Sequence, residues 1–247
     1  MTTDDAARLQ ELVDDAHRIV FFGGAGVSTE SGIPDFRSQD GLYHQQYDYP
    51  PETILSRSFF RAHPGEFYRF YRDRVLHPQA RPNAAHVALA ALEDAGRLTA
   101  VVTQNIDGLH QAAGSRRVLE LHGSVWHNHC GRCGKRFEGL DVVLASDDVP
   151  RCECGGVVEP DVVLYEDPLD QSVITDAITV ISQADLMIIG GTSLVVYPAA
   201  GLVEFFEGDH LVVINRDGST PGPWRGAGGM LLITSPIAQV MGALTIH

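Results

Sequence analysis

The sequence predicts an α/β protein in which helices cover both faces of a doubly wound parallel sheet. Short apolar runs of strand length alternate with apolar stripes at helical spacing. The runs lack the polar alternation of a half-exposed sheet, which is typical of strands buried on both faces. They fall at 17–22, 99–103, 118–121, 185–189, 211–214 and 230–234, and the helical stripes at 9–16, 84–95 and 173–181.

Two stretches interrupt this alternation. Residues 41–81 are rich in aromatic residues, arginine and proline and predict a small helical module, whereas 127–159 contain all four cysteines. Because strands resume after each, both are expected to be insertions into one sheet. We therefore predict one doubly wound domain formed by 1–126 and 160–247, with the helical module inserted at 41–81 and the cysteine-containing segment inserted at 127–159.

Charge and composition exclude several classes of function. The 247 residues carry 18 basic and 32 acidic side chains, a formal net charge of −14. Nucleic-acid binders and proteins of anionic membrane surfaces need a basic field, so neither partner is expected. No run approaches the roughly 20 apolar residues that cross a bilayer, and the first residues do not resemble a signal or transit peptide. A cytoplasmic protein is expected.

A glycine-rich loop follows the first predicted strand. Gly24, Ala25 and Gly26 would let backbone N–H groups approach a pyrophosphate at the start of a following helix. The loop lacks the full dinucleotide-binding spacing, and a tight turn without a ligand is the alternative. Further along, Phe36 and Arg37 supply a ring contact and a phosphate-binding guanidinium.

Polar residues also follow later strands. Gln104, Asn105 and Asp107 should face the glycine loop, because ligands bind beyond the carboxyl ends of parallel strands. An Asx-type turn could explain Asn105 or Asp107 singly, but not the set. His122 ends another strand, and its imidazole can act as a general base at neutral pH.

The cysteines form two close pairs. Cys130 and Cys133 are separated by two residues, and Cys152 and Cys154 by one. Four thiolates in two such pairs predict a structural zinc site. A redox pair and a nucleic-acid zinc knuckle are the alternatives, and the acidic net charge disfavours the second.

Taken together, these motifs resemble the sirtuins of the bacterial type. The resemblance rests on 24–38, 103–110, 121–123, the four cysteines, 160–163 and 191–194, in this order. It implies that 1–126 and 160–247 form a Rossmann-like NAD-binding domain and that 127–159 form a zinc ribbon. The activity it implies is that of an NAD-dependent protein lysine deacetylase with one structural Zn²⁺ per chain. Such an enzyme transfers the acetyl group to ADP-ribose and releases nicotinamide, and its partner is an acetylated lysine in a protein or peptide.

The resemblance also implies roles for individual residues. His122 would be the base and Asn105 would position a water. The NAD contacts would come from Gly24, Ala25, Gly26, Thr29, Phe36, Arg37, Gln104, Ile106, Asp107, His122, Gly191, Thr192, Ser193, Asn215, Arg216 and Ile237. The substrate would add a strand between Leu164–Asp167 and the segment near Val196, with contacts from Val163, Leu164, Tyr165 and Val196.

The chain departs from the family at two places. Many members have Phe-Gly-Glu where this chain has Tyr165, Glu166 and Asp167, which leaves the peptide geometry open. Desuccinylating relatives carry an Arg where Tyr71 stands here, although a register shifted by one turn would pair Tyr71 with Arg74. Acetyl or another uncharged acyl group is therefore expected. Protein ADP-ribosylation, a non-catalytic NAD-binding module and a zinc-ribbon interaction module are the alternative functions.

Overall fold

The computed structural model describes residues 2–35, 48–221 and 229–247. Its main sheet has six parallel strands in the order β3-β2-β1-β7-β8-β9. The strands are β1 (Ile19–Gly23), β2 (Leu98–Thr103), β3 (Val118–Glu120), β7 (Leu186–Gly190), β8 (His210–Ile214) and β9 (Met230–Ile233). Each coincides with an apolar run, and the prediction of a parallel sheet is confirmed.

Helices cover both faces of this sheet. One layer is formed by α1 (Thr3–Asp15), α5 (Ala84–Asp94) and α9 (Ile237–Met241), and the other by α8 (Gln171–Ser182) and a 3₁₀ segment, Ala199–Phe205. Successive side chains of β1 point to opposite faces: Phe21 packs into the first layer and Phe22 into the second. Both are completely buried, which explains why this strand is apolar throughout.

The strand order creates a crevice at one edge of the sheet. From β1 the chain proceeds outward through β2 to β3, then returns to pair β7 with the other side of β1. The loops after β1 and β7 therefore start side by side, at the register partners Gly23 and Gly190, and lead to strands on opposite sides of this pair, β2 and β8. Ligands bind at such a switch point in doubly wound sheets.

A second, antiparallel sheet carries the cysteines. It has the order β5-β4-β6, formed by β4 (Gly123–Cys130), β5 (Arg136–Glu138) and β6 (Val158–Val162), and α7 (Asp141–Leu144) lies between β5 and β6 in the chain. The remaining helices are α2 (Pro51–Ile54), α3 (Arg57–Ala62), α4 (Pro64–Phe70), which continues into a π turn at Tyr71–Val75, and α6 (Leu109–Ala113). The division into 1–126, 160–247 and the two insertions stays a prediction.

An apolar cluster joins the helical module to the second sheet. It buries aromatic side chains of α3, α4 and the π turn against aliphatic side chains of β4 and β6. Phe67 and Tyr68 are fully buried in it, and Ile106 packs against its margin. Within the described ranges, no helix has both the length and the apolar character needed to span a membrane.

The glycine loop does not open an α-helix, and that expectation was wrong. Two 3₁₀ turns follow it, Ala25–Val27 and Thr29–Ser31. They end at Gly32, whose φ of 85° is left-handed, and at Pro34, which lacks an N–H to continue a helix. Backbone groups of short turns, and not the end of a long helix, line this part of the crevice.

Candidate active site

The glycines of the first loop allow it to contact the loop after β7. A Cβ on Gly24 would lie 2.8 Å from Cβ of Thr192, and a Cβ on Gly26 would lie 2.7 Å from Cα of Gly191. The Gly26 N–H donates to the Gly191 carbonyl at 2.8 Å. These glycines are thus required for loop packing whether or not a ligand is bound. Ala25 lies between them and is half-buried.

A hydrogen-bond network joins the glycine loop to the loop after β2. The Ser28 hydroxyl donates to Asp107 Oδ2 at 2.6 Å and accepts from Asn105 Nδ2 at 3.0 Å. The other oxygen of Asp107 accepts the Leu109 N–H at 2.9 Å. Thr29 Oγ1 donates to the Gly26 carbonyl at 3.0 Å. The structure therefore joins Asn105 and Asp107 to the glycine loop through Ser28, whereas Thr29 is bonded within that loop.

Ser28 and Trp126 also belong to this network, although the sequence motifs did not predict them as site residues. Trp126 Nε1 donates to the Asp107 carbonyl at 2.8 Å, and its ring covers Gly108, where a Cβ would approach to 2.6 Å. The position of Ser28 two residues after Gly26 is a sequence signal for its role. Trp126 lies on β4, and its contact has no local signal.

Gln104 carries an unsatisfied polar group in the crevice. Its backbone N–H donates to the Gly23 carbonyl at 2.9 Å, and its Oε1 accepts from Thr192 Oγ1 at 3.4 Å. Its Nε2 is buried and has no hydrogen-bond partner within the described residues. An unpaired buried donor is costly, so this amide is suited to a ligand oxygen.

His122 is oriented by the backbone of Gln104. Its Nδ1 lies 2.9 Å from the Gln104 carbonyl oxygen. Because a carbonyl can only accept, Nδ1 carries the proton and Nε2 keeps its lone pair. Burial lowers the pKa of His122 from its ordinary value of 6.5, and the bond to Gln104 offsets part of that shift. At neutral pH the imidazole is therefore a neutral base.

This pKa predicts the pH dependence of activity. Nε2 accepts a proton only when His122 is neutral, so kcat/KM should be constant above the pKa and fall as the pH drops through it. Since the pKa lies below 6.5, the acid limb should also lie below 6.5. Steady-state rates between about pH 5 and 8 would measure it. An acid limb centred above pH 6.5 contradicts this assignment.

Hydrogen bonds of the Asn215 side chain connect the loops after β7 and β8. Asn215 is buried, and its Nδ2 donates to the carbonyls of Thr192 at 2.8 Å and Ser219 at 3.0 Å, while its Oδ1 accepts the Thr192 N–H at 3.2 Å. Its amide thus shapes the loop that contains Ser193. Arg216 is exposed beside it, and Gly191 has a left-handed φ of 61°.

Three other residues were predicted to contact NAD. Ile237 is buried in the core against Gly190, where a Cβ would lie 2.3 Å from its Cδ1. Phe36 and Arg37 fall outside the described residues. Their roles stay predictions.

The predicted peptide segment follows β6. The N–H of Val163 donates to the His122 carbonyl at 2.9 Å, which places this segment next to the base. Leu164 is buried in the apolar cluster, whereas Tyr165 is 41% exposed. Val196 is half-buried on the loop after β7.

The four cysteine sulfurs form one compact group. All lie within 4.8 Å of one another; Sγ of Cys130 is 3.5 Å from that of Cys154, and Sγ of Cys133 is 3.7 Å from that of Cys152. A tetrahedron with Zn–S bonds of about 2.3 Å has sulfur separations of about 3.8 Å. The cysteines are free, so the four thiols fit a single metal ion.

Comparison with known proteins agrees with this geometry. The model of the Sir2 family matches residues 24–198. The NAD-dependent protein deacetylase of Clostridium perfringens is 53% identical over 243 residues, covering 97% of this chain and 98% of that protein. The enzyme of the same name from Cutibacterium acnes is 58% identical over 212 residues, covering 85% and 86%.

Solved structures of Sir2 proteins are also similar to this chain. A Sir2 complex with a deacetylated p53 peptide and 3′-O-acetyl ADP-ribose has a TM-score of 0.85 and 40% identity, with 96% of each chain covered. A complex of Sir2 with a p53 peptide and NAD⁺ has a TM-score of 0.80 and 41% identity, covering 95% of this chain and 94% of that one.

Proposed function

The chain belongs to the Sir2 family and is an NAD-dependent protein deacetylase, and we propose that the residues at the carboxyl edge of its sheet carry out that reaction. The resemblance to sirtuins is confirmed. The observation that carries the assignment is the placement of His122, whose neutral imidazole is fixed by Gln104 beside the Ser28, Asn105 and Asp107 network.

The crevice fits a dinucleotide. Glycines allow the loops after β1 and β7 to pack closely at its base, and Gln104 Nε2 is a buried donor that a ribose hydroxyl would satisfy. We assign the glycine loop and Thr29 to the diphosphate side, and the loops of Thr192 and Asn215 to the adenosine side. NAD supplies an activated glycosidic bond, so that nicotinamide leaves and the acetyl group passes to ADP-ribose.

Two side chains handle protons and water. His122 accepts a proton at Nε2 from a ribose hydroxyl, and burial keeps it neutral until then. Asn105 donates through Nδ2 to Ser28, which directs its amide and leaves Oδ1 to orient a water. Ile106 and the fixed carboxylate of Asp107 hold the nicotinamide carboxamide. The hydrogen bonds of His122 and Asn105 support their roles, whereas the roles of Ile106 and Asp107 are those that the resemblance implies.

The protein substrate is a peptide carrying acetyl-lysine. Two loops flank its path, one at 163–167 and the other at 194–197. Exposed apolar side chains are available there: Tyr165, Val195, which is 55% exposed, and Tyr197, which is 69% exposed. The net charge of −14 favours basic peptide segments.

The environment of Tyr71 supports an uncharged acyl group. The Tyr71 ring stacks on Phe67 at 5.4 Å between centroids and is 1% exposed. In the better sequence register, Tyr71 stands where desuccinylating relatives have an arginine. Neighbouring guanidinium groups are engaged elsewhere. Arg72 donates to the Asp148 carbonyl at 2.9 Å, and Arg74, the partner in the shifted register, pairs with Asp73 at 2.9 Å and is 41% exposed.

We therefore expect a large preference for acetyl over succinyl. With one peptide in both forms, kcat/KM should favour acetyl by at least about a hundredfold, because an unpaired buried carboxylate costs several kcal/mol. Competition in one tube, followed by mass spectrometry of both peptides, measures this ratio directly. A faster succinyl reaction would overturn the assignment.

We also propose one structural Zn²⁺ per chain, bound by Cys130, Cys133, Cys152 and Cys154. Four thiolates with no open position are suited to a structural and not a catalytic ion. Thiolate ligands persist in a reducing compartment, which supports a cytoplasmic location.

Product mass tests the proposed function against its alternatives. An acetyl-lysine peptide incubated with the protein should lose the mass of an acetyl group only when NAD is present. An ADP-ribosyltransferase would instead add the mass of ADP-ribose to peptide or protein, and an NAD-binding module would change neither. Either result contradicts the proposed function.

A further inference from the structure

Two non-glycine residues have strained backbone among the described residues. Glu166 has a φ of 78° and Leu194 a φ of 53°. They lie on the two loops that flank the proposed peptide path. Such strain persists only where the surroundings fix it, and it is found preferentially at ligand-binding sites.

Each strained residue is held by a different contact. Leu194 is held by its N–H, which donates to Thr192 Oγ1 at 3.2 Å, and by its side chain, which packs on the second helical layer. Glu166 is held by its carboxylate, which accepts the Ser58 N–H at 2.9 Å and the Ser58 hydroxyl at 2.8 Å. Ser58 belongs to α3, 108 residues earlier in the chain.

The rest of the loop is bound to α3 and to Leu55, which precedes that helix. The guanidinium group of Arg57 donates three hydrogen bonds of 2.7 to 3.1 Å to the Asp167 carboxylate. The backbone N–H of Arg57 donates to the Tyr165 carbonyl at 3.0 Å. The Tyr165 N–H donates in turn to the Leu55 carbonyl at 3.0 Å. These bonds occupy the N–H and the carbonyl of Tyr165 and the carboxylate of Asp167.

The backbone of Glu166, unlike that of its two preceding neighbours, makes no hydrogen bond within the described residues. The N–H and the carbonyl of Leu164 and of Tyr165 are all hydrogen-bonded, whereas no hydrogen bond of the Glu166 backbone is found within the described ranges. Its N–H and carbonyl are thus available to pair with an added strand. Among 163–167, Glu166 is therefore the residue whose N–H and carbonyl both remain for pairing with an added strand.

We propose that Glu166 and Ser58 form a positioning pair for the acetylated peptide, an inference that rests on the proposed function. Where family members have glycine, a left-handed φ costs little. This chain has glutamate, and the carboxylate bonded to Ser58 compensates for the strain. The pair acts through the loop backbone and does not touch the acetyl group.

Substitution of Glu166 separates strain from contact. Glu166→Ala keeps the strain and removes the carboxylate, so KM for the acetyl-peptide should rise about tenfold. Glu166→Gly removes both and should stay within about twofold of the original KM. In both variants kcat at saturating peptide and KM for NAD should be unchanged. A carboxylate that binds substrate directly would instead make the two variants equally poor.

Ser58→Ala tests the other member of the pair. It should raise KM for the peptide in the original background and have no effect in a Glu166→Gly background, since glycine needs no anchor. Ser172→Ala is the matched control, because its hydroxyl bonds Asp170 at 2.6 Å in a similar exposed pair on α8. An equal effect of Ser58→Ala in both backgrounds, or an unchanged KM in Glu166→Ala, would overturn the pair.

Hydrogen exchange keeps this test independent of turnover. Exchange at 163–167 should be faster in Glu166→Ala than in the original protein or in Glu166→Gly. If the original protein deacetylates no peptide, the proposed function fails, and the exchange rates still decide whether the pair orders the loop. Equal exchange in all three proteins contradicts the pair even if the enzyme is active.

Discussion

Replacing His122 by alanine should lower kcat/KM for deacetylation about 10²- to 10⁴-fold, the contribution typical of a general base. The variant loses Nε2, the lone pair that the Gln104 carbonyl directs into the crevice. It should keep the thermal midpoint of the original protein within a few degrees, because the imidazole is only partly buried and makes no other side-chain hydrogen bond within the described residues. Initial rates with an acetyl-lysine peptide and NAD measure the loss.

A second histidine provides the matched control. His17 is exposed and precedes β1, at the edge of the sheet opposite the crevice. His17→Ala should retain full activity. A His122→Ala protein that is folded and keeps more than about a tenth of the original kcat/KM would show that another group is the base.

Removing the metal should have the second large effect. In isolated zinc domains the metal contributes about 10 to 16 kcal/mol of folding free energy, comparable to the whole stability of an ordinary domain. Cys130→Ala, or a strong chelator, should therefore unfold the second sheet and abolish deacetylation. Activity is lost because β6 leads directly into 163–167, and Glu159 on that strand pairs with Arg57 at 3.1 Å.

The thiols themselves report on this site. The chain has only these four cysteines, so the number of thiols that react with a thiol reagent reports on this cluster alone. One zinc per chain by elemental analysis, four protected thiols before chelation and four reactive thiols after it are expected. Lys135→Ala is a control near the same cluster, since Lys135 directly precedes β5 and its ammonium pairs with Glu153 on the surface. A metal-free protein with four reactive thiols and full activity contradicts the structural role.

The sheet was predictable because burial determines its sequence pattern. Val20, Phe21 and Phe22 are all excluded from solvent, so the strand shows no polar alternation and could be read as buried on both faces. The 3₁₀ turns after the glycine loop were not predictable in the same way. Gly32 and Pro34 end them, but the glycines before them are equally common at the start of an α-helix.

The site was predictable where topology alone brings residues together. Gln104, Asn105 and His122 follow neighbouring parallel strands, whose carboxyl ends meet at one edge. Contacts that cross between elements were not predictable from one sequence. Trp126 reaches Asp107 from the second sheet, and Ser58 anchors Glu166 from the helical module. No local pattern records such pairs, because their partners are selected by the fold.

The stoichiometry of the reaction tests the central claim most directly. With the original protein, NAD and an acetyl-lysine peptide, mass spectrometry of the initial products should find nicotinamide, deacetylated peptide and O-acetyl-ADP-ribose in equal amounts, and none of them without NAD. Initial release of free acetate, or deacetylation that proceeds without NAD, would contradict the assignment of the crevice to dinucleotide-dependent acetyl transfer.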